Sequence, residues 1–156
     1  MKGKHQQTAI REVRISYLES WQRQHWRSIQ AAYGNAPYFE HYADEIRPFY
    51  ERKFEFLFDY NLEFQTLILK KKLGWTGEFV MQEKYFPMGT WTVASDLRGQ
   101  IGGDPNNFPK WFTPLRYPQV FEERTGFLPN LSSLDLLFCC GKTGVEVLSN
   151  TQVFPN

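Results

Sequence analysis

The spacing of apolar side chains predicts that the first half of the chain is helical. Apolar and aromatic residues recur at helical intervals over three successive stretches, residues 20 to 33, 37 to 50 and about 53 to 73. Ser20 is placed to cap the first helix, and Gly74 is placed to end the third. We therefore expect three consecutive helices.

Residues 9 to 17 alternate instead between apolar and polar positions, with Val13, Ile15 and Tyr17 on one side. This period of two predicts a half-buried strand, for which the sequence offers no hairpin partner nearby. An unpaired strand edge invites pairing with another chain, so we expect a homo-oligomer that forms through this edge. A second short strand is expected at residues 78 to 81.

The second half of the chain has a weaker pattern. Proline, glycine and asparagine interrupt residues 86 to 118, which predicts a long loop, and one helical turn is expected near residues 118 to 123. A capped helix is predicted at residues 130 to 138, ending at Gly141, and a last short helix at residues 143 to 149. The predicted fold class is α/β and α-rich, with a helical core plus one or a few strands.

Composition narrows the classes of function. At 156 residues the chain fits a single domain over residues 1 to 156. The net charge is +1, with 18 basic and 17 acidic residues spread along the chain, which argues against a nucleic-acid partner. No run approaches the roughly 20 apolar residues of a membrane span, and the start MKGKHQQTAI lacks the apolar centre of a secretory signal. We expect a cytoplasmic protein without a membrane span.

The two cysteines, Cys139 and Cys140, are neighbours in the sequence. This spacing strains a mutual disulfide and supplies too few ligands for zinc. We therefore expect buried thiols and no metal site. The sequence does not indicate which cofactor, if any, the protein uses.

His25 is the best candidate for a catalytic base. It is four residues from both Trp21 and Ile29, so helical spacing places all three side chains on one inward face. A histidine there either exchanges protons with a substrate near neutral pH or is hydrogen-bonded within an aromatic core. The sequence leaves both interpretations open.

Asp59 and Asn61 lie in an otherwise apolar helical stretch, FLFDYNL. They point about 200° apart on a helix, so at most one of them faces the core, and the spacing of the apolar residues favours Asn61. A polar group that faces a core needs a hydrogen-bond partner. That partner is either a substrate or a neighbouring helix end.

The residues Asn130, Ser132 and Asp135 are typical of helix capping, in which polar side chains satisfy free backbone amides. Asp135 also suits the dipole of a first helical turn, and a role in a site stays open for it. Tyr117 and Gln119 combine an aromatic face with an amide, which is equally compatible with holding a sugar or a nucleotide and with packing.

Four blocks of the sequence resemble the WbqC-like family. They are HWRSIQAAY followed by APYF, then FDYNLE, YPQVF and FLPNLSSLDLLF, in the same order and over nearly the whole chain. The resemblance implies a bacterial cytosolic protein of O-antigen or other surface-polysaccharide assembly. It also implies the transfer of glycine or another acyl group to an amino sugar, with a small molecule or a nucleotide sugar as the substrate.

These implications assign roles to particular residues. We expect His25 to act as the base on the acceptor amine or hydroxyl and Asp59 or Asp135 to orient it. Substrate contacts are expected from Trp26, Tyr33, Tyr38, Asn61, Tyr117, Gln119, Asn130 and Ser132. The alternatives are a non-catalytic binding or assembly module and an inactive fragment of a longer enzyme.

The sequence departs from the family at its start. Family members begin with a further segment that contains a tyrosine-leucine-proline block and an arginine-rich block, whereas this sequence starts after that segment. The strand at Val13 without a nearby partner is what such a cut would leave. We therefore expect the chain to be the C-terminal part of a larger α/β domain, with a natural short form as the alternative.

Overall fold

The computed structural model describes residues 8–87, 89–90, 112–150 and 152–153, and this part of the protein is mostly helical. Its α-helices are α1 (Trp21–Tyr33), α2 (Phe39–Ile46), α3 (Leu57–Gln65), α4 (Glu122–Thr125), α5 (Ser133–Cys140) and α6 (Gly144–Asn150). Shorter 3-10 turns occupy Ile10–Glu12, Arg47–Tyr50 and Gly141–Thr143, and a π-helical segment, Thr66–Lys72, continues α3. The strands β1 (Phe112–Thr113) and β2 (Gln152–Val153) form an antiparallel pair.

Helix α1 has the predicted bounds and, apart from His25, the predicted inward face. Trp26, Ile29 and Tyr33 pack against the core, whereas His25 is exposed. Successive residues of an α-helix are rotated by about 100°, so a helix that turns Trp26 inward carries His25 to the edge of its buried face. The prediction that His25 faces the core is therefore wrong.

Helix α3 turns Tyr60, rather than Asn61, towards the core. Tyr60 and Phe64, one turn apart, lie on its inward side with parallel rings whose centroids are 5.8 Å apart. Asn61 follows Tyr60 by about 100° and is exposed, and Asp59 is exposed as well. The prediction that Asn61 faces the core is wrong, and neither residue needs a buried partner.

The end of this helical region has a wider winding than an α-helix. In the π-helical segment, the Leu73 amide donates to the carbonyl of Ile68, five residues earlier, at 2.9 Å. This winding turns both Ile68 and Leu73 into the core, where each is 1% exposed. Gly74 then adopts the left-handed conformation, φ 78°, and ends the helix as predicted.

The segment predicted as a strand, residues 9 to 17, has a partner within the chain. The segment begins as the 3-10 turn and becomes extended, and an isolated antiparallel bridge joins Arg14 to Phe56. The Ile15 amide donates to the Glu55 carbonyl at 3.0 Å beside that bridge. Apart from this single bridge, residues 9 to 17 form no strand, so the prediction of a strand is wrong. The partner lies 42 positions away, in line with the lack of a nearby hairpin partner. A homo-oligomer through this segment would have to use its other side.

Helix α5 forms the centre of the core. Ser132 caps it by accepting a hydrogen bond from the Leu134 amide at 3.0 Å, and Gly141 follows its last residue. The Phe138 ring, which is fully buried, contacts the ring of Phe39 at 5.1 Å and the ring of Tyr33 at 5.2 Å between centroids. α5 therefore ties α1 and α2 together.

The α-rich part of the predicted fold class is confirmed. Within the residues listed above, the strands are the two-residue pair β1 and β2, and residues 78–81 form no strand. A sheet layer of the kind that an α/β domain requires is thus absent from the described part of the chain. Most of the loop predicted at residues 86 to 118 lies outside the described residues.

Candidate functional site

A buried carboxyl group lies where three separate segments of the chain meet. Asp135, in the first turn of α5, is 2% exposed and is the only buried charged residue that the structure describes. Tyr33, at the end of α1, and Tyr117, before α4, lie close enough for the charge of Asp135 to act on their hydroxyls. Cys139 lies one turn further along α5. We call Tyr33, Tyr117, Asp135 and Cys139 the Asp135 cluster.

The Asp135 carboxyl has a weak hydrogen-bond donor in this cluster. The sulfur of Cys139 lies 3.6 Å and 3.8 Å from the two carboxyl oxygens, and a thiol is a poor donor. Burial raises the pKa of Asp135, and the hydrogen bond from the thiol opposes this shift. None of the ion pairs between described residues includes Asp135. These surroundings favour the neutral carboxylic acid.

The pKa values of the other three groups are shifted upward as well. Burial, assisted by the charge of Asp135, raises the pKa of Tyr33 to about 12 and that of Cys139 to about 12. Burial also raises the pKa of Tyr117, while a hydrogen bond with Gln119 opposes this shift. The two phenols and the thiol therefore keep their protons at neutral pH. The cluster offers hydrogen-bond donors rather than an anionic nucleophile.

Gln119 fixes the segment that carries Tyr117. Its side-chain nitrogen donates to the Leu128 carbonyl at 2.7 Å, and the Leu128 amide donates to its side-chain oxygen at 2.9 Å. The Tyr117 ring meets the Phe127 ring edge to face, with centroids 5.8 Å apart. Both polar atoms of the Gln119 amide are thus used in closing the loop around α4, and Gln119 positions Tyr117.

Sequence reasoning treated Cys139 as a simple buried thiol and missed its contact with Asp135. Cys139 is indeed buried, and both cysteines are free. The signal that would have indicated the contact is the spacing of four residues between Asp135 and Cys139, which places the two side chains on one helix face.

His25 lies away from the Asp135 cluster. It precedes Tyr33 by eight residues on α1, which corresponds to about 12 Å along the helix axis. Its ring meets the ring of Trp21 edge on, with centroids 5.3 Å apart. Among the described residues, no hydrogen bond joins His25 to Asp59 or to Asp135. The cluster and His25 are two separate places on α1.

Asp59 lies on α3, which contacts the start of α1. The ring of Trp21, which contacts His25, also meets the ring of Tyr60 edge on at 6.0 Å, and Tyr60 follows Asp59. Both His25 and Asp59 are exposed on neighbouring helices. Asn61 is also exposed on α3.

Two further residues that were predicted to contact a substrate, Trp26 and Tyr38, pack against other parts of the protein. Trp26 stacks on Phe39 and Tyr50 in the core, with centroid distances of 6.1 Å and 5.8 Å. Tyr38 is exposed at 40%, and its ring lies against Gly141.

The polar residues before α5 serve local structure. Asn130 is exposed in a turn with φ 57°, a left-handed conformation that asparagine tolerates better than most residues. Ser132 is the N-cap described above, which confirms the capping interpretation for this residue.

The described residues contain neither a set of metal ligands nor a membrane-spanning helix. These residues contain no group of three or more histidine, cysteine, aspartate or glutamate side chains placed to hold a metal ion. The helices in the same part of the chain are too short or too polar to cross a bilayer.

The protein is thus a mostly helical one with a polar cluster buried where α1, α5 and the segment before α4 meet. Comparison with protein families gives the WbqC-like protein family over residues 1–104. This is more than half of the chain, so the protein belongs to the WbqC-like family. No curated protein and no solved structure matches it.

The family match includes some of the candidate site residues and leaves out others. The first two sequence blocks that resemble the family contain His25, Tyr33 and Asp59. These two blocks lie within the matched residues. The blocks that contain Tyr117 and Asp135 lie beyond them. The Asp135 cluster therefore combines one residue from the matched part of the chain with three from the part that follows.

Proposed function

We propose that the protein acts in the cytoplasm on precursors of O-antigen or another surface polysaccharide, and that it transfers an acyl or aminoacyl group, such as glycine, to an amino sugar. Membership in the WbqC-like family supports the pathway. The observation that carries the proposal is the meeting of Tyr33, Tyr117 and Asp135, from three distant stretches, in an otherwise apolar core. Burying polar groups costs stability, which favours a task beyond packing.

Tyr33 and Tyr117 are the members of the cluster that a substrate would meet. Both are half-buried, whereas Asp135 and Cys139 are buried. Protonated phenols donate and accept hydrogen bonds, and their rings offer flat faces to a sugar. In this proposal the amino sugar lies against these two side chains, with the Asp135 carboxyl behind them and Gln119 holding Tyr117 in place.

The proposed reaction needs a base for the acceptor. The amine nitrogen of the sugar attacks the carbonyl carbon of an activated ester or thioester, so that a C–N bond forms and the C–O or C–S bond breaks. The amine proton passes to the base and from it to the leaving oxygen or sulfur. His25 is the proposed base because its ring is exposed, and Asp59, which is also exposed, is the proposed carboxylate that orients it.

The transfer is tested with nucleotide-linked amino sugars and acyl or aminoacyl thioesters, with the product detected by mass spectrometry. We expect product with the wild type and a loss of about 100-fold or more in rate for His25→Ala, since general bases contribute on the order of 100-fold to 10,000-fold. His41→Ala, another exposed histidine, is the matched control and should transfer normally. Equal rates for both variants would remove His25 from the mechanism.

The second candidate is a non-catalytic module that binds the same sugars. The separation of His25 from Tyr33, about 12 Å along α1, favours this candidate because a base and a binding group must converge on one substrate. Calorimetric titration in the same experiment distinguishes the two. Sugar binding without any product supports the module, and the absence of both binding and product contradicts both candidates.

A further inference from the structure

Among the described residues, no cationic side chain surrounds Asp135, and the dipole of α5, whose first turn it occupies, is the feature that favours its negative charge. Its helix contributes the thiols of Cys139 and Cys140, α1 contributes the Tyr33 hydroxyl, and the segment before α4 contributes the Tyr117 hydroxyl. Each of these groups is neutral when protonated and becomes an anion when it loses its proton. None of them supplies a positive charge.

The 3-10 turn after α5 and helix α6 also pack against α5, and their charged residues, Lys142 and Glu146, are exposed. The remaining elements that pack against α5 bring apolar side chains to it. α2 contributes Phe39, whose ring meets Phe138, and the end of the π-helical region contributes Leu73, which approaches Leu136 beside Gly144.

The two half-buried lysines of the π-helical region have partners other than Asp135: Lys72 is paired with Glu45 on α2, and Lys70 lies over the ring of Phe79. Asp135 thus has no cationic partner among the residues that the structure describes.

We propose that Asp135 is a pH-sensitive latch: its carboxyl is protonated when α5 is docked against Tyr33 and Tyr117, and its ionisation loosens that docking. The side chain of Asp135 is 2% exposed, so an ionised carboxylate there loses its hydration without gaining a counter-ion. The protein avoids this cost either by keeping the proton or by opening α5 towards water. The latch operates whether or not the protein transfers acyl groups.

The direction of the pH dependence follows from proton linkage. Burial raises the pKa of Asp135 in the folded protein above that of the unfolded chain, so the folded state binds the proton more tightly. The resulting stabilisation is fully present below the pKa of the unfolded chain, about 4 for an aspartate. It is lost progressively as the pH rises from there through the pKa of the folded protein.

The test compares urea unfolding of the wild type and Asp135→Asn between about pH 4 and pH 9. Asparagine has nearly the same shape and cannot ionise. We expect the unfolding equilibrium constant of the wild type to rise relative to the variant, by up to about tenfold per pH unit, until the folded carboxyl has ionised. Asp59→Asn, which changes an exposed aspartate, should show no comparable trend. A ratio for Asp135→Asn that is flat with pH would overturn the latch.

A second measurement uses the wild type alone, which keeps the proposal testable if Asp135→Asn fails to fold. Carbon-13 labelling of the aspartate carboxyls reports each protonation state by NMR, and hydrogen exchange reports the opening of α5. We expect Asp135 to ionise above the range of an unfolded aspartate, which is about pH 4, and the amides of Leu137 and Phe138 to lose protection in step with that ionisation. Ionisation of Asp135 at or below about pH 4, or protection of these amides that does not change with its ionisation, would overturn the latch.

Discussion

At the scale of single residues, burial decides what the polar groups can do. Cys139 has a pKa raised to about 12 by burial and by the charge of Asp135, so its thiol is not a nucleophile at neutral pH. Tyr33 is held protonated by the same causes. The Asp135 cluster is thus suited to hydrogen bonding with a neutral ligand, and any base must come from an exposed residue.

The clearest positioning contact is the pair of hydrogen bonds between Gln119 and the backbone of Leu128. We expect Gln119→Ala to lower the free energy of unfolding by about 2 kcal/mol, because two hydrogen bonds of about 1 kcal/mol each are lost. Urea unfolding measures the change. Gln24→Ala, at an exposed position of α1, is the control and should change stability by less than about 0.5 kcal/mol. Equal stability of the two variants would show that the Gln119 contacts do not hold the loop.

Some residues could be placed from the sequence and others could not. Ser132 was predicted as a cap because the chemistry of an N-cap is local. His25 was placed on the wrong side because it lies at the edge of the buried face of α1, where a rotation of a few tens of degrees decides exposure. The electrostatic interaction between Tyr33 and Asp135 joins residues about a hundred positions apart, which spacing along the chain cannot show.

At the scale of elements, glycines with positive φ follow three of the described helical segments: the π-helical segment, α4 and α5. Gly141, with φ 60°, follows α5 directly, and a Cβ atom there would lie 2.9 Å from the ring of Tyr38. Gly126, with φ 70°, follows α4, and a Cβ atom there would meet nothing within 4 Å. A side chain at either position would strain the backbone. Only at Gly141 would the added Cβ atom also meet a neighbouring side chain.

This difference gives a prediction for α5. We expect Gly126→Ala to lower the free energy of unfolding by roughly 1 to 3 kcal/mol from backbone strain alone. Gly141→Ala should cost at least about 1 kcal/mol more, because the added methyl group displaces Tyr38. Thermal and urea unfolding of both variants measure the costs. Equal losses of unfolding free energy would mean that Tyr38 moves aside without cost and that its contact with Gly141 does not restrict the residue at this position.

The order of elements was largely predictable, while their partners and winding were not. Ending signals such as Gly34 and Gly74 are local, and α1 and the long third helical region have about the predicted extents. The pairing of Arg14 with Phe56 joins positions 42 apart, so a period-two pattern reveals the extended segment and not its partner. The π-helical winding of Thr66–Lys72 is set by the packing of Ile68 and Leu73, which the helical period does not predict.

At the scale of the whole molecule, the described chain is organised around α5. Helices α1 and α2 contact α5 through Tyr33 and Phe39, and the π-helical region contacts it through Leu73. The family match covers residues 1–104, so α5 belongs to the part of the chain beyond it. The protein thus assembles its polar cluster from both parts.

The central claim is that the Asp135 cluster is the place where an amino sugar binds. The most direct measurement is NMR of labelled protein during titration with a nucleotide-linked amino sugar. The account predicts that the largest shifts occur at the rings of Tyr33 and Tyr117 and at the first-turn amides of α5. Shifts confined to the region of His25 and Asp59, or no shifts at any concentration, would contradict it.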